Sequence, residues 1–206
     1  MDWTDVLDPD LEPDEVLLKR VPALHEDRIE QFRQYVATPL IFSLEFADTQ
    51  ERFTIMLTPD EARVERGAMI DFPQASIRGE AKKWRRSVEL SRLLAQPADE
   101  QIEKYQGRFE ITDKVRDGFE RFDGVLQVQI VDLPDGGVPL QFEVILNDYD
   151  EPPRARRAEL TVGWSILEEL ANGRLSPVEA ARKVTVKGAM GLAFDIGGYF
   201  MSEFDL

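Results

Sequence analysis

The sequence predicts an α+β protein in which helices cover a mostly antiparallel sheet. Three observations lead there. Short runs alternate apolar and polar side chains, the period of a half-buried strand, and the segments between them carry apolar residues three and four apart, the period of an amphipathic helix. The same order of segments then occurs twice along the 206 residues. An apolar fraction of 43% and a charged fraction of 32% suit a packed core with a solvated surface.

Met1 to Glu15 hold seven acidic side chains, two prolines and no basic residue, and read as an extended or disordered tail. Val21, Leu24, Ile29, Phe32 and Val36 follow at helical spacing, so residues 1–38 form an acidic tail and one amphipathic helix. The only histidine, His25, sits on or beside the charged side of that helix, where it is structural or exposed. From Leu40 the period becomes two: Leu40, Phe42, Leu44 and Phe46, then Phe53, Ile55 and Leu57, describe a hairpin. Residues 61–65 add a short strand ended by Gly67, and 75–79 another. Helices are expected over 81–95 and 98–105, a strand over 108–112 and a helix over 115–122.

The series restarts at Gly124. Leu126, Val128 and Ile130 alternate with glutamines, the turn Pro134-Asp135-Gly136-Gly137 follows, and Leu140, Phe142 and Val144 alternate with Gln141 and Glu143. After an acidic loop come a strand over 158–162 and a helix from Trp164 to about Asn172, closed by Gly173 as its C-cap. Ser176-Pro177 supplies the N-cap and first position of the next helix. A strand over 183–187 and a helix over 189–201 complete the chain. The hairpin 40–58 answers 125–146, strand 75–79 answers 158–162, and the elements beyond them correspond in order, with Trp84 soon after Gly79 and Trp164 directly after Gly163. The reading is two units in tandem, 39–123 and 124–206; a single C-terminal domain with an unrelated N-terminal part is the alternative.

The stretch Asn172-Gly173-Arg174-Leu175-Ser176-Pro177, followed by Lys183-Val184-Thr185-Val186-Lys187-Gly188 and Met190-Gly191-Leu192-Ala193-Phe194, resembles the C-terminal half of the sterol carrier protein family. Gly173, Leu175, Pro177, Ala180, Lys183, Val184, Val186, Gly188, Met190 and Ala193 carry the resemblance, which covers roughly the last eighty residues. Arg182 stands where the family usually has glycine. The resemblance implies a sterol-carrier-like layered fold in tandem duplication, with the first unit diverged. It also implies an apolar tunnel for a fatty acyl or sterol-like ligand between the sheet and the last helix, in the second unit. By periodicity alone, Leu126, Val128, Phe142, Val144, Leu160, Val162 and Val186 point to one side of a sheet. Leu167, Leu170, Met190, Leu192, Phe194, Phe200 and Met201 are placed to close over them. These residues form either a close-packed core or, as the resemblance implies, the walls of a ligand cavity.

Other chemistry is poorly supplied. With no cysteine, a thiolate nucleophile, a disulfide and a zinc–thiolate site are excluded, and one histidine makes neither a zinc site nor a recognisable triad. No nucleophile elbow, phosphate loop or HExxH motif is present. Asp148, Asp150 and Glu151 lack the spacing of a calcium loop and read as an exposed turn. A net charge of -15 opposes nucleic acid and anionic membranes, so the basic cluster Lys82-Lys83-Trp84-Arg85-Arg86 reads as a solvated helix face with Trp84 turned inward. No apolar run approaches the length of a membrane span, and the N-terminus has no signal-peptide pattern. The expectation is therefore a cytoplasmic, non-enzymatic lipid carrier that needs no cofactor or metal. An interaction or dimerisation module with a filled core is the second reading.

Overall fold

The structure, a computed structural model, describes residues 3–69, 71–95 and 110–204. Its strands are β1 (Leu40–Phe46), β2 (Glu51–Leu57), β3 (Ala62–Arg66), β4 (Ala75–Gly79), β5 (Gly124–Val131), β6 (Leu140–Leu146), β7 (Arg157–Gly163) and β8 (Thr185–Gly188). The helices are α1 (Trp3–Val6), α2 (Pro13–Glu15), α3 (Val21–Asp27), α4 (Ile29–Tyr35), α5 (Trp84–Ala95), α6 (Asp113–Phe119), α7 (Trp164–Ala171), α8 (Pro177–Lys183) and α9 (Met190–Glu203). A π-helical segment, Val16–Arg20, joins α2 to α3, and a 3-10 turn, Ala81–Lys83, leads into α5.

All eight strands form one open, mixed sheet in the order β3-β2-β1-β4-β6-β5-β7-β8. In each half the first strand of the hairpin is flanked on its other side by a parallel third strand: β1 lies between β2 and β4, and β5 between β6 and β7. The halves join through antiparallel pairing of β4 with β6, from Ala75 opposite Leu146 to Arg78 opposite Glu143. That pairing occupies the flank of β4 corresponding to the side on which β8 adds to β7. Of the expected strand 108–112, residues 108 and 109 lie outside the described residues, and Ile111 makes only a single bridge with Val36. The expected helix 98–105 lies wholly outside the described residues.

Register assigns the two faces. Leu44, Ile77, Val144, Leu126 and Ala158 share one rung of an apolar face. The rung beside it on the opposite face reads Arg52, Glu45, Arg78, Glu143, Gln127, Glu159, Lys187 from β2 to β8, with charge alternating over its first half. Glu45 accepts from Arg52 at 2.5 Å and from Arg78 at 3.1 Å, and Glu143 accepts from Gln127 and from Arg157, each at 3.0 Å.

The helices lie on the apolar face. Leu90 and Leu94 of α5 and Trp164, Ile166 and Leu167 of α7 cover Ile130, Leu140 and Val162. Phe119 and Phe122 with Leu192, Ile196 and Tyr199 of α9 cover Leu146, Leu126 and Val144. Local chemistry sets the helix ends as the sequence predicts: Gly173 follows α7 at φ 63°, and Ser176 and Glu179 form a reciprocal capping box at the start of α8, with Pro177 at its first position. Gly188 turns β8 into α9 at φ 71°, where a Cβ would meet the Arg157 carbonyl oxygen at 2.6 Å.

The expectation of an extended N-terminal tail is corrected. Val6 is 2% exposed and packs with Val16, Leu24 and Trp84, while the Trp84 indole donates to the Leu11 carbonyl at 2.9 Å. Asp10 pairs with Arg85 at 3.1 Å and Asp14 with Arg66. The acidic segment is thus held by apolar contacts and by basic residues of its own chain, including one from the basic cluster. The other basic residues of that cluster pair with Glu80 and Asp135, and Trp84 turns inward as expected.

Glu45 is the acceptor shared by Arg52 and Arg78, all three side chains being less than a quarter exposed. Glu45→Ala leaves two guanidiniums short of a partner and is expected to cost about 1–2 kcal/mol. Thermal unfolding should then shift downward by roughly 2–8 °C, with Glu45→Gln intermediate. An unchanged midpoint would mean that attraction across the rung only offsets the cost of desolvating it.

Candidate functional site

The predicted site residues share the apolar face or the helices over it, but they divide into separate groups. Val128, Phe142, Val162 and Leu167 belong to the cluster under α5 and α7. Leu126, Val144, Leu192 and Phe200 belong to the cluster under α6 and α9. Leu160 and Val186 face each other across β7 and β8 and are half-buried, as are Leu170 and Met201. Leu192 is 1% exposed, a core residue wedged against the sheet.

Met190 and Phe194 are corrected: at 51% and 66% exposure they lie on the outer side of α9 and close over nothing. Leu192, Ile196 and Tyr199 take the inward stripe, and at about 100° per residue positions 190 and 194 fall on the opposite side. The run MGLAFDIGGYFM is apolar on both sides, so spacing alone did not select which stripe faces the sheet.

Among the described residues, an apolar hollow in this layer lies at the junction of the two halves. About 270 Å³ in volume, it is floored by Leu44, Phe46, Ile77, Leu140 and Phe142 and roofed by α5, with Trp164 at its side. From α5 it receives Trp84, Ser87, Leu90, Ser91 and Leu94, which fall on one helical face. Ser87 is half-buried beneath the helix and Ser91 is exposed at the rim; a leucine at 87 would fill much of the space. Ser87 satisfies its hydroxyl within the helix, donating to the Lys83 carbonyl at 3.0 Å. Of the predicted site residues only Phe142 lines this hollow. The missed signal was available in the sequence as small side chains on the apolar stripe of a helix.

The polar face carries a wider groove of about 490 Å³ across β4, β6, β5 and β7. Its floor is the backbone at Phe142, Val128 and Leu160; one wall is the charged rung from Arg78 to Glu159, and the other is Gln141, Gln129 and Thr161. Burial pushes the Glu143 carboxyl up, but hydrogen bonds from Gln127 and Arg157 and the charges of Arg157 and Arg78 outweigh it, holding the group below its ordinary 4.5.

Catalytic machinery does not gather in either place. His25 is 1% exposed, its Nε2 lies 2.9 Å from the Thr58 carbonyl oxygen and its ring packs on Phe32 at 4.5 Å, so it ties α3 to the end of β2. Among the described residues no group of three or more His, Asp or Glu side chains is arranged to hold a metal ion. Asp150 is engaged by Arg52, and Glu151 by Arg157. Among the described residues, no helix is long and apolar enough to cross a membrane. No family model, curated protein or solved structure matches the chain.

Two predictions follow from this layout. Leu192→Ala should cost about 2–5 kcal/mol in urea unfolding, whereas Phe194→Ala should stay within about 0.5 kcal/mol; comparable losses would place Phe194 inside. Glu143, with its folded pKa below the unfolded one, contributes stability that is present above pH ~4.5 and is lost as pH falls through the folded value. Glu143→Gln lacks that increment, so its melting temperature should fall less between pH ~5 and ~3 than the wild type's; parallel melting curves would falsify the coupling.

Proposed function

We propose that the protein is a non-enzymatic cytoplasmic carrier of an apolar ligand, as the resemblance to the sterol carrier family implies, with the ligand held between α5 and the apolar face of the sheet rather than under the last helix. The observation that carries this reading is the hollow at Leu44, Ile77, Phe142 and Trp164, left open beneath Ser87. The repeated hairpin-plus-parallel-strand arrangement supports a tandem of two sterol-carrier-like units. On this reading the ligand seat lies between the units and uses the diverged first unit as half of its floor.

The size of the hollow narrows the ligand. Sites for drug-sized ligands span roughly 300–1,000 Å³, and this one falls just below that range. It suits a single acyl or alkyl chain better than a fused-ring sterol. A second reading, an interaction module with no ligand, is favoured by the exposed Met190 and Phe194 beside the edge strand β8.

Organic extraction of purified protein followed by mass spectrometry, together with uptake of a fluorescent acyl probe, separates the two. The carrier reading predicts a single-chain lipid or saturable uptake. Ser87→Leu should weaken that uptake by about tenfold or more while the melting temperature holds or rises, because filling a void is stabilising. A protein that is empty and takes up nothing would leave the interaction module as the reading.

A further inference from the structure

The apolar hollow and the polar groove lie on opposite faces of the sheet, yet they share Gly79, Glu80, Lys83, Gln141 and Phe142 in their linings. The reason is a notch. Pairing of β4 with β6 ends at Arg78 opposite Glu143, and β6 extends beyond it to Leu140 with no β4 residue opposite. Gly79 stands there without a side chain, and a Cβ built on it would meet nothing within 4 Å. An apolar seat on one face therefore communicates with a polar seat on the other around the end of a short strand.

The groove's chemistry specifies what enters it. Gln129, Gln141 and Thr161 form one wall, and among the described residues their side chains make no hydrogen bond to protein. Together they offer amide and hydroxyl groups that both donate and accept. The cations are engaged: Lys83 pairs with Glu80, and Arg78 with Glu45. Of the carboxylates, Glu80 pairs with Lys82 and Lys83 and Glu143 with Arg157, while Glu159 has no cationic partner among the described residues. An anionic head would meet that uncompensated carboxylate. An uncharged head with several hydroxyls would meet unused donors and acceptors.

Resting on the carrier reading above, we infer that the ligand is a single-chain amphiphile with an uncharged, hydroxyl-bearing head. Its chain lies beneath α5, it bends past Gly79, and its head lies among Gln129, Gln141 and Thr161. An acyl or alkyl chain esterified or linked to glycerol or to a sugar has this chemistry; a free fatty acid, ionised at neutral pH, does not.

Isothermal titration of the full chain with monodecanoylglycerol, decanol and decanoate, each below its aggregation concentration at neutral pH, tests the inference. Monodecanoylglycerol should bind about tenfold tighter than decanoate. The pair of changes Gln129→Ala and Thr161→Ala should bring monodecanoylglycerol down to the affinity of decanol and leave decanol unchanged. Glu159→Gln, a milder change, should narrow the gap between monodecanoylglycerol and decanoate. Decanoate binding as tightly as monodecanoylglycerol, or a glycerol preference indifferent to the Gln129–Thr161 change, would overturn the head assignment while leaving the carrier reading in place. If none of the three binds, both fall together.

Discussion

The charged rung through Arg78 marks the join between the two halves of the sheet. Residues 75–78 of β4 form the ladder that joins the first half to the second, and Arg78 is the last of them. Its guanidinium donates to Glu45 in the first half at 3.1 Å and lies 3.9 Å from the Glu143 carboxylate in the second. Slipping β4 by one residue against β6 would turn Arg78 onto the apolar face and Ile77 onto the polar one. A charged side chain placed among Phe142, Val144 and Trp84 would lose its hydration without gaining a partner. The charged rung therefore fixes register where backbone pairing is too short to do so alone. With register fixed, the apolar residues of both halves line up as one floor.

Much of that floor was legible in the sequence, because period-two alternation reports sheet faces directly. Leu126, Val128, Phe142, Val144, Leu160, Val162 and Val186 do share a face, and the capping residues Gly173, Ser176 and Pro177 stand where the helix ends are. What alternation does not report is which strands meet. The pairing of β4 with β6 is a long-range choice with no local signature, and it creates a hollow at the junction that no single half announces. The outward turn of Met190 and Phe194 was hidden for a different reason: a helix apolar all round has no moment to read, and the entry set by Gly188 decides its rotation.

The acidic N-terminal segment shows how net charge misleads when its partners lie in the same chain. Seven acidic residues and two prolines in fifteen positions have the composition of a solvated tail. Yet Val6, Leu11 and Val16 are spaced to seat on Leu24 and Trp84, and burying a few such side chains gains several kcal/mol, at about 1.5–3 each. The pairs that accompany this seating, such as Asp10 with Arg85, are exposed and contribute little energy. They orient the segment and neutralise Arg85 of the basic cluster, whose other basic members pair with Glu80 and Asp135.

The serines of α5 connect this architecture to function. Core positions normally close-pack, and a void under a helix forfeits the dispersion contacts that its lining atoms would make. Ser87 gains nothing from the sheet in exchange, since its hydroxyl bonds to its own helix. Helix, floor and notch thus leave space where leucine would close it, at a place where the apolar face communicates with the groove of Gln129, Gln141 and Thr161. Such departures from local packing rules concentrate at functional sites. This one lies where the two halves of the sheet meet.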